Sequence, residues 1–184
     1  MRSAACIRAG VYVMMYNAIE AAVRAAMEAL RRQIQQDAVT FASARDFWRL
    51  DCIQAAFLDK MQSGTNHGNV LTDLGAMSNS ILQWHPDKLS RLPGSGNFGQ
   101  TAALTLKNSM PLTWTAPVGT AGGVDLETIR VKRNDLSHGF EEYVAIGGGV
   151  TTGDMCALGD RTRRFMVSLL QAVEHYRAMK QYIR

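Results

Sequence analysis

Residues 11–30 read VYVMMYNAIEAAVRAAMEAL, and this stretch decides the fold class. From residue 11 to residue 36 the chain contains neither glycine nor proline, the residues that most often interrupt a helix. Apolar side chains recur at helical spacing, at Val11, Met14, Met15, Ala18, Ile19, Ala22, Val23, Ala26 and Leu30. This spacing predicts a long helix, from about residue 4 to residue 36, that buries this face. The opposite side carries Arg24, Glu28, Arg31 and Arg32.

Helical periodicity also marks the stretches that follow. A second helix is predicted to begin near Ser43 and to bury Phe47, Leu50, Ile53, Ala56, Phe57 and Met61. Shorter helices are predicted over 71–83 and 101–108. A further helix is predicted to begin at an Asp125 cap and to stop at Gly139. The last helix begins at Thr151 or Thr152, runs nearly to Arg184 and buries Leu158, Phe165, Leu169, Val173, Tyr176 and Ile183.

Loop signals separate these helices. Turn-forming residues cluster at 63–68, 93–97 and 119–123, and the glycines at 147–149 predict a flexible connection. No alternation of apolar and polar residues is strong enough to build a sheet. The sequence therefore predicts an all-α bundle, a single domain over residues 1–184, with a long irregular insertion between its helix pairs.

Composition limits the classes of function. Apolar residues make up 47% of the 184 residues and charged residues 20%, as in ordinary globular proteins. The apolar runs are too short for a membrane span and the N-terminus lacks the layout of a secretory signal, so a cytoplasmic location is expected. Cys6, Cys52 and Cys156 are expected to be reduced thiols that mostly pack in the core. The net charge of +4 favours an anionic partner only weakly.

The segment RNDLSHG, residues 133–139, carries the candidate chemistry. Arg133 can neutralise phosphate charge, Asn134 can fix an oxygen or the imidazole, and His138 can move a proton near neutral pH. In a helix, Arg130, Asn134 and His138 lie at four-residue steps and form one polar ridge. The apolar residues that can then face the core are Leu126, Ile129 and Leu136.

Taken alone, this spacing is more often a solvated helix face than a site, because short motifs match by chance. The other histidines, at 67, 85 and 175, have no ligand cluster of metal-binding spacing around them. The chain also lacks a phosphate-binding glycine loop followed by lysine, and it lacks a Gly-x-Ser-x-Gly elbow. The sequence therefore predicts neither a metal site nor a cofactor.

Residues 128–139, TIRVKRNDLSHG, resemble the Arg-Asn-x-Leu-Ala-His-Gly signature of the HEPN superfamily (higher eukaryote and prokaryote nucleotide-binding). The nearest likeness is to bacterial HEPN-like ribonucleases of toxin and phage-defence loci. It continues through FEEYVAIGGGVTTGDM, residues 140–155, and appears in YVMMYNAIEAAVRAAM, residues 12–27. Ser137 departs from the usual alanine. Phe140 stands where a related subgroup has a tyrosine that a partner nucleotidyltransferase modifies, so control by that modification is not expected.

The resemblance implies a helical bundle that pairs as a homodimer, with RNA as its substrate and a cognate antitoxin or defence-system protein as a further partner. It implies metal-independent cleavage, in which the RNA 2′-OH attacks the adjacent phosphorus. His138 would take the 2′-OH proton or protonate the leaving oxygen. Arg133 would hold the non-bridging oxygens, and Asn134 would orient His138 or the phosphate.

Supporting roles fall to three other residues. Glu20 matches a recurrent acidic position of the first helix that would brace the site, with a purely structural carboxylate as an equal alternative. Asp135 is expected to be a helix or dimer-contact residue, and Arg130 is expected to add positive charge. Two other functions compete with the ribonuclease: a non-catalytic HEPN module that binds RNA or nucleotide, and a helical interaction protein whose motif is coincidental.

Overall fold

The structure is a computed structural model that describes residues 2–62, 79–92, 97–139 and 142–184. Within these ranges the α-helices are α1 (Arg2–Gln36), α2 (Asp46–Gln62), α3 (Gln100–Ser109), α4 (Val124–His138), α5 (Tyr143–Gly148) and α6 (Thr152–Ala178). The described residues form strand-like pairs only at two isolated bridges, Thr40 with Ile81 and Ala44 with Ile183. The predicted all-α fold is confirmed. None of the described helices combines the length and apolar character that a bilayer crossing demands.

The described residues cluster into two compact units. The first draws on Met1–Val23 and Gly94–Ala172, and the second on Arg24–Pro93 and Val173–Arg184. The boundary falls once inside α1 and once inside α6. All residues of the predicted site belong to the first unit. The assignment of a single domain stays a prediction.

The apolar face that the sequence predicts for α1 is only partly buried. The core positions of this helix are Ala5, Ala9, Tyr12, Tyr16, Ile19, Val23, Met27, Leu30 and Ile34. On the predicted face, Met14 is 71% exposed, Ala18 is exposed, and Val11 and Met15 are half-buried. The prediction is confirmed for Ile19, Val23 and Leu30 and is wrong for Met14 and Ala18, because tertiary packing decides which apolar side chains of α1 are covered.

Arg31 is predicted on the solvent side of α1 but is fully buried. Its Nε and Nη2 donate to the two carboxylate oxygens of Asp51, at 2.9 and 3.0 Å. Its Nη1 donates to the carbonyl oxygens of Leu89 and Arg91, at 2.6 and 2.7 Å. Asp51 also accepts a hydrogen bond of 3.0 Å from Trp84 Nε1. A guanidinium is stable inside the core when carboxylate and carbonyl groups satisfy its donors, which a helical pattern does not reveal.

The buried side of α2 also differs from the prediction, and the helix begins at Asp46 rather than near Ser43. Leu50 is 58% exposed and Phe47 and Ile53 are half-buried, whereas Trp48 is fully buried. Trp48 Nε1 donates to the Tyr176 hydroxyl at 3.0 Å, so the largest side chain sets the buried side. The predicted inward residues Ala56, Phe57 and Met61 lie outside the described side chains.

Of the two shorter helices predicted over 71–83 and 101–108, the structure shows the second. The predicted helix over 101–108 is present as α3. The predicted helix over 71–83 lies mostly outside the described residues, and its described end at 80–83 is not helical. There Ile81 forms its bridge with Thr40 instead.

Helix α6 begins where predicted and ends early. Its buried residues include Leu158, Phe165, Leu169, Val173 and Tyr176, as predicted. The helix stops at Ala178, and Lys180 adopts a left-handed φ of 49°. This turn buries Tyr182 in place of the predicted Ile183, and the Tyr182 hydroxyl donates to the Asp37 carboxylate.

The cysteines are free thiols, as expected. Cys52 is buried in α2, but Cys6 and Cys156 are exposed. The expectation that most of the thiols pack in the core was therefore wrong.

Gly147 is a packed helix residue rather than part of a flexible connection. It lies in α5, is buried, and its carbonyl oxygen accepts a hydrogen bond of 2.8 Å from Arg8 Nε. A Cβ at Gly147 would overlap the backbone of Ala5 in α1. The prediction of a flexible connection was wrong because glycine here allows two helices to approach closely, not because it frees the chain.

Gly147→Ala is expected to lower the free energy of unfolding by about 1–3 kcal/mol, because the added methyl group forces α5 away from α1. Gly148→Ala is the matched control, since no described atom lies within 4 Å of a Cβ at that position. The control is expected to leave stability unchanged or slightly raised. Chemical denaturation of both variants measures the difference, and equal stabilities would contradict the close approach at Gly147.

Candidate active site

Helix α4 carries the motif and is bounded by glycines in left-handed conformations. Gly123 precedes it with φ 89°, and Gly139 follows it with φ 70° and donates its N–H to the Asp135 carbonyl oxygen. The predicted stop at Gly139 is confirmed. A Cβ at Gly123 would lie 2.6 Å from the Phe165 ring, so the start of α4 needs glycine for space as well as for conformation. The buried residues of α4 are Leu126, Ile129 and Leu136, as predicted.

Asp125 does not cap α4, and that prediction was wrong: the N-cap is Gly123. The Asp125 carboxylate instead binds the Arg161 guanidinium of α6 through hydrogen bonds of 2.7 and 3.1 Å. These two hydrogen bonds occupy both carboxylate oxygens of Asp125. Nearby, Arg164 Nη2 donates to the Gly119 carbonyl oxygen at 3.1 Å. The two arginines of α6 therefore bind the start of α4 and the loop that precedes it to α6.

The guanidinium of Arg133 is held by two neutral groups. Its Cζ lies 4.7 Å from the centroid of the Tyr16 ring, over the ring face. Its Nη1 donates to Asn134 Oδ1 at 3.0 Å. Arg133 and Asn134 are both half-buried, so the pair remains within reach of a ligand. The structure thus brings two of the predicted catalytic residues together and adds Tyr16 beneath them.

Tyr16 connects this pair to Glu20. The Tyr16 side chain is fully buried, and its hydroxyl accepts the Phe98 N–H at 3.2 Å and lies 3.3 Å from Oδ1 of Asn97. The hydroxyl also hydrogen-bonds to Glu20, one turn further along α1. Burial, reinforced by the Glu20 carboxylate, raises the pKa of Tyr16 above its usual value, so the hydroxyl stays protonated at neutral pH. Glu20 therefore reaches the site through Tyr16.

Arg130 is engaged by a carboxylate of its own helix. Its Nε donates to Glu127 Oε1 at 3.1 Å, and this bond holds the pKa of Glu127 below its usual value. Glu127 also accepts the backbone N–H of Gln100 at the start of α3. A Cβ at Gly99 would overlap the Glu127 carboxylate, so a larger residue there would displace the Glu127 and Arg130 side chains. The Arg130 guanidinium is therefore directed to Glu127, and the bond raises the pKa of Arg130.

His138 is the last residue of α4 and its side chain is exposed. It is therefore not enclosed in the apolar interior, where it would have no access to a substrate. Asp135 is half-buried on the same helix.

Together these side chains form an open site on α4 with a fixed cation, a carboxamide beside it and an exposed imidazole one turn away. No known protein family, curated protein or solved structure matches the chain. The site can offer charge neutralisation to an anion through Arg133 and proton transfer through His138. No three His, Cys, Asp or Glu side chains in the described part of the chain are grouped so as to hold a metal ion.

Two residues of the site are not identified as such by the sequence. Tyr16 looks like an ordinary core residue of α1, and only its contact with Arg133 shows its second role. Glu127 stands three residues before Arg130, a spacing that predicts an ion pair on a helix. The hydrogen bond between the Glu127 carboxylate and the Gln100 N–H of α3 depends on the fold, and no pattern in the sequence predicts it.

Proposed function

We propose that the protein is a HEPN-type endoribonuclease that acts as a toxin or phage-defence effector and cleaves RNA without a metal ion. The proposal depends on one observation above all: Arg133 and Asn134 are bonded to each other and accessible, and His138 is exposed at the end of the same helix. A phosphodiester needs such a combination, because negative charge grows on its oxygens while a proton moves. The resemblance of residues 128–139 to the HEPN signature is the second support.

In the proposed reaction the 2′-OH of the RNA attacks the adjacent phosphorus. The O2′–P bond forms and the P–O5′ bond breaks, which leaves a 2′,3′-cyclic phosphate and a 5′-hydroxyl. His138 takes the 2′-OH proton or protonates the leaving O5′. Arg133 binds the non-bridging oxygens, and Asn134 holds the Arg133 guanidinium in place through its Oδ1.

We further propose that two copies pair so that both motif helices line one cleft in a homodimer. One imidazole can act as base or as acid in a single turnover, and a second copy supplies the other role. The exposed apolar side of α1 supports association, since Ile7 and Met14 are 70% and 71% exposed. The RNA substrate implies action in the cytoplasm, with a cognate antitoxin or defence-system protein to restrain it.

The chemistry predicts that RNA is cut and DNA is not. A labelled RNA oligonucleotide, the same sequence as DNA, and the RNA with 2′-O-methyl groups are incubated with the purified protein at several salt concentrations. We expect cleavage of the unmodified RNA alone, because the other two lack the nucleophile. Salt-sensitive binding of all three without cleavage would favour the non-catalytic binding module. No salt-sensitive binding of any of them would favour the interaction protein.

A further inference from the structure

We propose that Tyr16 is a positioning residue for Arg133, whose ring fixes the guanidinium plane in the orientation that the phosphate requires. The inference rests on the proposed function for its catalytic consequence. The contact itself does not depend on that function, since the Arg133 guanidinium lies 4.7 Å from the ring centroid in the structure. Such a contact is attractive through the negative face of the ring and the positive charge above it.

The position of the Tyr16 ring is well defined because its hydroxyl hydrogen-bonds to several groups. Phe98 donates its N–H to the hydroxyl at 3.2 Å, and the side chain of Asn97 lies 3.3 Å away. Glu20 hydrogen-bonds to the same hydroxyl from the next turn of α1. Tyr16 is also fully buried, whereas Arg133 is half-buried. The more exposed partner is therefore Arg133, and the buried ring restricts the orientations open to it.

Arg133 is held by neutral groups, so its positive charge remains available to a ligand. Arg130, three residues earlier, is held by the Glu127 carboxylate, which neutralises much of its positive charge. Within the described part of the chain, the contacts that orient Arg133 are an aromatic ring and a carboxamide, and neither carries a net charge. The Cζ atom of Arg133 lies over the ring, and among the described side chains only Asn134 accepts a hydrogen bond from its N–H groups, so the other N–H groups can bind a phosphate. The arrangement orients the cation without cancelling its charge.

A comparison of Tyr16→Phe with Tyr16→Leu distinguishes the contribution of the ring from that of the hydroxyl. Both variants lose the hydroxyl and leave the Phe98 N–H unpaired, and the leucine variant also leaves a cavity in the core, so it is expected to lose more stability. Only the leucine variant loses the aromatic face. Among folded molecules, kcat for RNA cleavage is expected to fall about tenfold more in Tyr16→Leu than in Tyr16→Phe, with KM nearly equal. A purely structural role would give the two variants the same kcat.

A double-mutant cycle tests whether Tyr16 acts through Arg133. In the Arg133→Ala background, Tyr16→Leu and Tyr16→Phe are expected to have equal single-turnover rates, because the group that the ring positions is gone. If the leucine variant remains about tenfold slower than the phenylalanine variant in that background, the ring acts by another route and the inference is overturned.

A nuclear magnetic resonance measurement distinguishes failure of this inference from failure of the proposed function. The Nε–H resonance of Arg133, identified by its loss in Arg133→Ala, is expected to show a ring-current shift in wild type and in Tyr16→Phe. The shift is expected to vanish in Tyr16→Leu. An unshifted wild-type resonance overturns the inference whether or not RNA is cut. A shifted resonance with uncut RNA overturns the proposed function, and the positioning role in catalysis with it.

Discussion

His138→Ala is expected to lower the rate of RNA cleavage by a factor of about 10²–10⁴, the usual contribution of a general acid or base. The imidazole is exposed at the end of α4, so its removal leaves no cavity in the core. The unfolding temperature should therefore stay near that of wild type. Expression of wild type is expected to slow cell growth, and expression of the variant is not.

His175→Ala is the matched control for this prediction. His175 is also exposed and also lies in the last turn of a helix, α6, but outside the motif. The control should keep the wild-type cleavage rate and the wild-type effect on growth. If His138→Ala cleaves RNA as fast as the control, His138 takes no part in proton transfer and the proposed mechanism is wrong.

Arg31→Ala is expected to destabilise the protein by about 3–5 kcal/mol, because it removes the buried cation of the Asp51 carboxylate and leaves the partly exposed Arg91 as its remaining ion-pair partner. Arg31 is fully buried and forms a two-point ion pair with Asp51. The same guanidinium binds the carbonyl oxygens of Leu89 and Arg91, which would then lose their donor. Denaturant unfolding measures the loss, and residues 88–92 are expected to become more accessible to proteases.

Arg32→Ala provides the control from the adjacent position. The Arg32 side chain is 57% exposed, and its hydrogen bonds run to Glu28, one turn earlier on the same helix. Exposed pairs of this kind contribute only about 0.2–0.5 kcal/mol. If Arg31→Ala and Arg32→Ala lower the free energy of unfolding equally, Arg31 is not buried in solution.

These two arginines show what the sequence of α1 can and cannot predict. The absence of helix breakers and the apolar spacing predict the helix itself, and the structure agrees. The choice of buried side depends on partners far along the chain, so the sequence of α1 alone predicts the wrong side for Arg31. Gly147 illustrates the same limit, because its close approach to Ala5 joins residues that no local pattern connects.

In the candidate site, too, some features can be predicted from the sequence and others appear only in the folded structure. The end of α4 and its buried residues follow from Gly139 and from local apolar spacing, and the structure confirms both. The support of Arg133 by Tyr16 joins α4 to α1, more than a hundred residues apart in the chain. Such a contact appears only when the helices pack. Glu20 hydrogen-bonds to the Tyr16 hydroxyl, and its bracing role in the site stays a prediction.

The central claim is that Arg133 and His138 cleave RNA through attack of its own 2′-OH. The most direct measurement incubates wild type and Arg133→Ala with total RNA in excess chelator and analyses the fragment ends. We expect wild type to release fragments with 2′,3′-cyclic phosphate ends, and Arg133→Ala to release them about 10²–10³-fold more slowly. Arg163→Ala, which removes an arginine 69% exposed on α6, should behave as wild type. RNA left intact by folded, dimeric wild type, or fragments that lack cyclic phosphate, would contradict the claim.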